Sequence, residues 1–400
     1  MTEYDAIVVG ARCAGSPTAM LLARAGWRVL LVDRATFPSD TVSTHVVQPH
    51  GVARLRAWGL LDQLISTGCP PIHTYTFDFG PVTISGAPGT AESPVAYAPR
   101  RIVLDKLLVD AAAEAGAEVR EGFHVDEVLL DNGRVIGIRG RQRGGQPVTE
   151  HARVVVGADG VHSTVARTVS AAHYRDKPQL LCGYYAYWSG LPTYGRFETF
   201  IRPNRGFAAV ATNDDLTLVI SGWPYTEFNA NKVDLERNYL RSFEMAPEFA
   251  ARVHAARRQT RIIGSAVPNY FRRPYGPGWA LVGDAGYNRD FITAQGISDA
   301  FRDAALCSTA LTLTFSGKQP YDDAMDRYHS ARDSQVLPMY EMTTELATLQ
   351  PPPPEMQQLL SAMVDNQDAM DGFVRTNAGV DSPATFFSPE NLGRIITGAR

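Results

Sequence analysis

Residues 5–15 read Asp5-Ala-Ile-Val-Val-Gly10-Ala-Arg-Cys-Ala-Gly15, and residues 27–33 read Trp27-Arg-Val-Leu-Leu-Val-Asp33. The first stretch is a short apolar run ending in glycine, as expected of a strand buried on both faces. Good helix formers follow from Ser16 to Ala25, Gly26 stops them, and the second stretch reads as another buried strand. Together they predict a βαβ unit with a tight first turn. Gly10 and Gly15 fit the dinucleotide fingerprint GxGxxG, with Arg12 in place of the middle glycine. Gly10 permits the sharp turn, and Gly15 lets the helix pack close to the strand. The N–H groups around Ala11, Arg12, Cys13 and Ala14, at the positive end of the helix, can hold a pyrophosphate. Arg12 can add its charge, provided its side chain points away from the closest backbone approach. Asp33, 23 residues after Gly10, stands near the offset expected of the acid that accepts ribose hydroxyls, with Arg34 beside it. The alternative is an ordinary βαβ unit. The strand, the helix and the acid together favour a bound dinucleotide.

Outward from this unit, helical periodicity runs from Leu104 to Ala115, and a strand follows Gly116. Asp126 to Arg139 alternates through an Asn132-Gly133 turn, which predicts a hairpin. Arg153 to Gly157 and Ala280 to Gly283 read as further buried strands, and a helix is expected from about Ile297 to Leu313. Residues 176–261 change character. Tyr184-Tyr-Ala-Tyr-Trp188, Phe197–Phe200, Phe207–Thr212 and Leu216–Trp223 predict an antiparallel sheet whose aromatic residues form either core or a pocket wall. Residues 320–400 are expected to be mostly helical, interrupted at Pro351–Pro354.

The bulk composition narrows the function. A chain of 400 residues, 44% hydrophobic and 20% charged, describes an ordinary globular protein with room for two domains. A formal net charge of −4 argues against nucleic acid as a partner. No apolar run approaches ~18 residues, so no integral membrane association is expected. The N-terminus lacks the basic region of a signal peptide. Cys13, Cys69, Cys182 and Cys307 form no CxxC pair, and the histidines show no HExxH spacing. The simplest expectation is a reduced, cytoplasmic protein without a metal.

Two further motifs follow predicted strands: Gly157-Ala-Asp-Gly-Val-His-Ser-Thr-Val-Ala-Arg167 and Gly283-Asp-Ala-Gly-Tyr-Asn-Arg-Asp-Phe-Ile-Thr-Ala-Gln-Gly296. With these in order, the sequence resembles the FAD-dependent monooxygenase superfamily typified by para-hydroxybenzoate hydroxylase. That group also contains geranylgeranyl reductases and flavin-dependent halogenases. The resemblance covers residues 1–170 and 265–315, and the region between only in general layout. It implies FAD as cofactor and NAD(P)H as reductant. It assigns Asp284 to the ribityl or pyrophosphate region, and Gln295, Gly296 and Ile297 to the pyrimidine end of the flavin ring. Free N–H groups at a helix start suit the negative charge of reduced flavin there. It also implies Asp159, with Arg167, near FAD and the nicotinamide nucleotide, Arg101 on the phosphates, and Val125 as a further cofactor contact. A turn cap is the alternative for Asp159. The sequence departs from the pattern at Phe291, where relatives usually carry proline beside the flavin edge, at Ser298 (often Asn) and at Tyr287 (His).

The resulting fold expectation is α/β: a Rossmann-like FAD-binding domain with an inserted, mostly antiparallel β-sheet substrate domain and a C-terminal helical segment. The FAD-binding domain is expected to take 1–70, 96–175 and 262–320, the substrate domain 71–95 and 176–261, and the C-terminal segment 321–400, covering the site or making a homo-oligomer contact. The first expectation for the reaction is NAD(P)H-dependent oxygenation of an apolar, aromatic or polycyclic small molecule. A base for phenol deprotonation has three candidates, His45, His50 and Tyr187, each with a structural alternative. His45 leads because relatives place the segment Ser43–Gln48 beside the flavin, and Phe291 is a candidate for shaping the reactive edge. The runner-up is a geranylgeranyl-type reductase acting on an isolated double bond, and a non-catalytic flavin binder is the third reading. Residues 220–226, Ile-Ser-Gly-Trp-Pro-Tyr-Thr, lack the WxWxIP segment expected of a halogenase.

Overall fold

The computed structural model describes residues 4–397. The opening βαβ unit forms as β1 (Tyr4–Val9), α1 (Gly15–Arg24) and β2 (Val29–Asp33). The second strand begins at Val29 and not at Trp27, because Trp27 leaves the sheet to meet Phe315 edge-on. Next come α2 (Pro49–Ala57), β3 (Thr74–Asp78), β4 (Thr83–Gly86) and α3 (Arg101–Glu114). After β5 (Glu118–Glu121), the expected hairpin forms from β6 (Phe123–Asp131) and β7 (Arg134–Gln142) across Asn132-Gly133, both at positive φ. It leads into β8 (Val148–Gly157).

The antiparallel region consists of β9 (Leu181–Ser189), β10 (Arg196–Arg202), β11 (Arg205–Ala211) and β12 (Leu216–Pro224). Two helices that the strand reading of this region left out follow, α4 (Leu235–Phe243) and α5 (Pro247–Ala255). Their buried faces, Tyr239, Phe243, Phe249 and Val253, close the outer side of the sheet against Phe207 and Trp223. The chain continues through β13 (Ile263–Ala266), β14 (Trp279–Leu281), α6 (Gly296–Phe315) and α7 (Tyr321–Leu346). After the proline run come α8 (Pro354–Met363) and α9 (Gln367–Asn377).

Two sheets organise these elements. In the first, β14, β8, β1, β2 and β5 lie side by side in parallel. Val9 stands opposite Gly157, and Gly157 opposite Leu281. All three motif loops therefore leave the carboxyl edge of adjacent strands at one level, where open α/β sheets bind their ligands. In the second sheet, β9, β12, β11, β10, β3 and β4 follow one another, antiparallel except for β10 with β3. β13 pairs with β9 of this sheet, so the second sheet reaches past residue 261. The C-terminal helices pack on the free face of the second sheet: Phe373 of α9 meets Phe77 of β3, and Asp371 accepts from Ala87 N–H at 2.9 Å.

Candidate flavin site and substrate cavity

The first motif turn is built for glycine. Gly10 has φ +103°, and a Cβ there would stand 2.4 Å from the carbonyl oxygen of Ala158; one on Gly15 would stand 1.7 Å from that of Gly10. Asp33 closes the turn, its buried carboxylate accepting from Ala11 N–H and Ala35 N–H at 2.7 Å each. Arg34 next to it is exposed. Arg12 does not stand free over the phosphate position. Its guanidinium pairs with Asp105, lies against Ser39 and sits over the Phe37 ring. Asp105 is the residue that sequence reasoning missed. Wholly buried on α3, it also accepts from Arg101 Nε at 2.9 Å and from the Cys13 thiol at 3.4 Å. Its only sequence signal is the i,i+4 spacing from Arg101. Cys13 itself is buried, which leaves only its backbone for a ligand.

The second motif is occupied with its own fold. Asp159 accepts from Ser163 Oγ and from the N–H groups of Thr164 and Val165, the turn-cap alternative. Arg167 donates to His162 O and Thr164 Oγ1. Val125 packs its side chain on the hydrophobic cluster beneath the first sheet.

At the third motif two openings appear in otherwise closed surroundings. Asp284 is accessible between buried Gly283 and Ala285. Protein mass around it pushes its carboxyl up to about 6, against the pull of Arg101. Gly296, first residue of α6, is exposed between buried Gln295 and Ile297, and a Cβ built on it meets nothing within 4 Å. The Gln295 side chain turns away and donates to Asn377 O at 3.0 Å. An anion-accepting turn at Gly10–Gly15, the Arg101 charge, an accessible Asp284 and a vacant glycine face at a helix N-terminus fit an extended flavin dinucleotide.

Beside these openings lies a cavity of about 520 Å³. Its floor is the inner face of the second sheet, where Tyr75, Phe197, Val210 and Leu218 form one cross-strand row and Phe77, Thr199, Ala208 and Ile220 the next. One end is closed by Thr44, Gln48 and the loop Phe291–Ala294; at the other, exposed Glu341, Glu345, Leu346 and Pro351 form the mouth. Gln48 ties the closed end together. Its Nε2 donates to the carbonyls of Thr293 (3.2 Å) and Ala294 (3.3 Å), its Oε1 accepts from Tyr75 Oη (2.7 Å), and its N–H donates to Ser298 Oγ (3.0 Å).

The candidate bases fall elsewhere. The structure brings His45 and Tyr187 together, with 2.6 Å between Nε2 and Oη and Arg100 over the Tyr187 ring. Neither lines the cavity. Burial, with Arg101 and Arg100 adding to it, lowers His45 to about 3, so its imidazole is neutral. His50 lies on α2 in a charged cluster with Asp299 and Arg54 and is lowered to about 4 by burial.

Residues 3–183 match the family described as FAD binding domain. The digeranylgeranylglycerophospholipid reductase 2 of Methanopyrus kandleri is 35% identical over 176 residues, 42% of this chain and 40% of that protein. The chain thus matches well under half the length of that relative. The same organism's digeranylgeranylglycerophospholipid reductase 1 is 25% identical over 373 residues, covering 87% of this chain and 91% of that protein. Among solved structures, a flavoprotein/dehydrogenase from Cytophaga hutchinsonii superposes over the full length of both chains with a TM-score of 0.85 at 17% identity, a likeness of fold.

Proposed function

We propose that the chain is an FAD-dependent oxidoreductase akin to the geranylgeranyl reductases, and that it reduces an isolated carbon–carbon double bond in an apolar small molecule, with NAD(P)H as the reductant. The observation that carries this reading is the cavity: an apolar sheet face ending at the Phe291–Ala294 loop, with carboxylates only at the mouth. Bound FAD supplies the two-electron carrier between NAD(P)H and the substrate. The chain's residues hold and orient. The N–H groups from Arg12 to Gly15, with Arg101, take the pyrophosphate, and Asp33 and Asp284 take sugar and ribityl hydroxyls. The start of α6 at Gly296 favours negative charge at the pyrimidine end. The aromatic and aliphatic floor excludes water. Tyr75 keeps its proton, since burial drives its hydroxyl far above the usual range.

The relatives also favour reduction over the oxygenation expected first from the sequence, because a relative matched along most of both chains, at 25% identity, is by name a digeranylgeranylglycerophospholipid reductase. Oxygenation is the second reading, favoured by the same water-excluding walls. Among the described residues, however, His45 and Tyr187 bond to each other away from the cavity, which leaves phenol deprotonation without its expected base. The test is an anaerobic incubation of the FAD-loaded protein with NADPH or NADH and a polyprenyl alcohol, followed by mass spectrometry. A product heavier by two hydrogens per double bond supports reduction. A product that forms only in air and is heavier by one oxygen atom overturns it in favour of oxygenation.

A further inference from the structure

The second sheet contains a row without side chains. Gly183 of β9 stands opposite Gly222 of β12, and Gly222 opposite Gly206 of β11. Residues paired across strands point to the same face, so three neighbouring strands present bare backbone side by side. That face is the cavity floor, since Gly206 and Gly222 line the cavity. The strip runs about 10 Å across the strands, at ~4.8 Å per strand. Tyr185, Ile220 and Ala208 form the adjoining row on one side and Leu181 with Pro224 the row on the other, so the trough is one side chain wide.

Its two ends are stoppered. Over Gly183 lies the Phe291 ring, with Cζ only 2.5 Å from where a Cβ would be. Over Gly206 lies Leu349, whose Cδ2 would be 3.4 Å from such a Cβ. Leu349 is held in place after α7 by a left-handed backbone at φ 51° and by its carbonyl, which accepts from Asn204 N–H at 3.1 Å. Gly222, between the stoppers, is open: its Cβ would meet only Gly206 O at 3.4 Å, Cys182 O at 3.9 Å and Phe291 Cε2 at 4.0 Å. Van der Waals space thus exists at Gly206 and Gly222 for a side chain the protein does not have. Glycine is a poor strand residue and often marks close approach of a ligand. At Gly183 the occupant is Phe291 and over Gly206 Leu349 rests at van der Waals distance, while between them at Gly222 no side chain fills the strip.

We propose that the Gly183–Gly222–Gly206 trough is the specificity-determining element of the cavity. It takes a slender, unbranched or methyl-branched apolar chain laid across the strands from the mouth toward Phe291, which acts as the stop before the flavin edge. This rests on reading the cavity as the substrate site, and it is independent of the chemistry performed there. Phe291, the departure from the proline of related sequences, thereby gains a role: its ring sets how far the chain penetrates.

The test is calorimetric titration of the FAD-loaded protein with hexanol, decanol and hexadecanol, which requires no turnover and so separates this inference from the reaction. The wild type is expected to gain affinity with chain length by up to about fourfold per methylene buried. Gly222→Val and Gly206→Val fill the trough and are expected to weaken hexadecanol binding by roughly tenfold or more, with hexanol little changed and FAD content unaltered. Phe291→Ala is expected to extend the length dependence. If a valine variant loses FAD or fails to fold, Gly206→Ala, whose Cβ meets only the flexible end of Leu349, decides the matter. Unchanged hexadecanol binding in the variants overturns the proposal, as does a wild type that binds no chain or binds all three alcohols equally.

Discussion

Replacing Asp290 by asparagine should make the protein more stable in alkaline solution and leave it little changed, or weaker, in acid. Asp290 is 1% exposed, caps the short turn Phe291–Thr293 through Oδ1, which accepts from Ile292 N–H at 3.1 Å, and leaves Oδ2 without a partner. Burial pushes its carboxyl up to about 7, against the backbone N–H groups of Ile292, Leu181 and Phe291, which pull it down. In the unfolded chain the same group titrates near 3.8. Between these values the folded state holds a proton that the unfolded state has released, so stability falls as pH rises from about 4 to about 7. At 1.36 kcal/mol per unit, the whole effect is roughly 4 kcal/mol, of which roughly 3 kcal/mol lies between pH 5 and pH 8. Asparagine keeps the Oδ1 acceptor and cannot ionise; its unpaired amide costs about 1–3 kcal/mol at every pH. The advantage of the variant over the wild type should therefore grow by roughly 3 kcal/mol from pH 5 to pH 8. Urea unfolding followed by circular dichroism at several pH values in that window measures it directly. A difference between the two proteins that is flat with pH, or that shrinks toward pH 8, would refute the buried-acid assignment.

Other outcomes follow from the site. Gly296→Val should leave the unfolding curve of the apoprotein unchanged, because its Cβ meets nothing, yet abolish retention of FAD through desalting; a variant that keeps its flavin spectrum places the cofactor elsewhere. Asp105→Ala strands the buried Arg101 charge and frees Arg12, so chemical denaturation should report a loss of about 3–5 kcal/mol, and a loss below about 1 kcal/mol would remove Asp105 from the phosphate-site scaffold. His45 is buried neutral, with its pKa lowered to about 3, so it weakens the fold as pH drops below its unfolded value near 6.5. His45→Gln should flatten that acid limb, and an unchanged limb would contradict it. Tyr187→Phe deletes the Oη–His45 hydrogen bond at a stability cost of about 1 kcal/mol, with the pH profile of kcat/KM unaltered; a large fall in kcat would return the pair to the mechanism.

The apolar run Ala6–Val9, Gly10, Gly15 and Asp33 determined the βαβ unit and its turn without help from the rest of the chain, because φ +103° at Gly10 and the Cβ-free contact at Gly15 admit no other residue. Gly160 and Gly283 of the later motifs and the Asn132-Gly133 hairpin were legible for the same reason: a positive φ leaves a mark on residue type. The helices Leu235–Phe243 and Pro247–Ala255 were not read, although both are amphipathic and rich in helix formers, because they directly follow the aromatic strands that end at Pro224 and were taken with them. Nor was the role of Asp105, because a charged residue on a helix carries no sign that its neighbours will bury it. The union of His45 with Tyr187, 142 residues apart, and the glycine row of Gly183, Gly222 and Gly206 depend on strand register. Register is set by which faces of the two sheets find cover, and only the folded chain decides that.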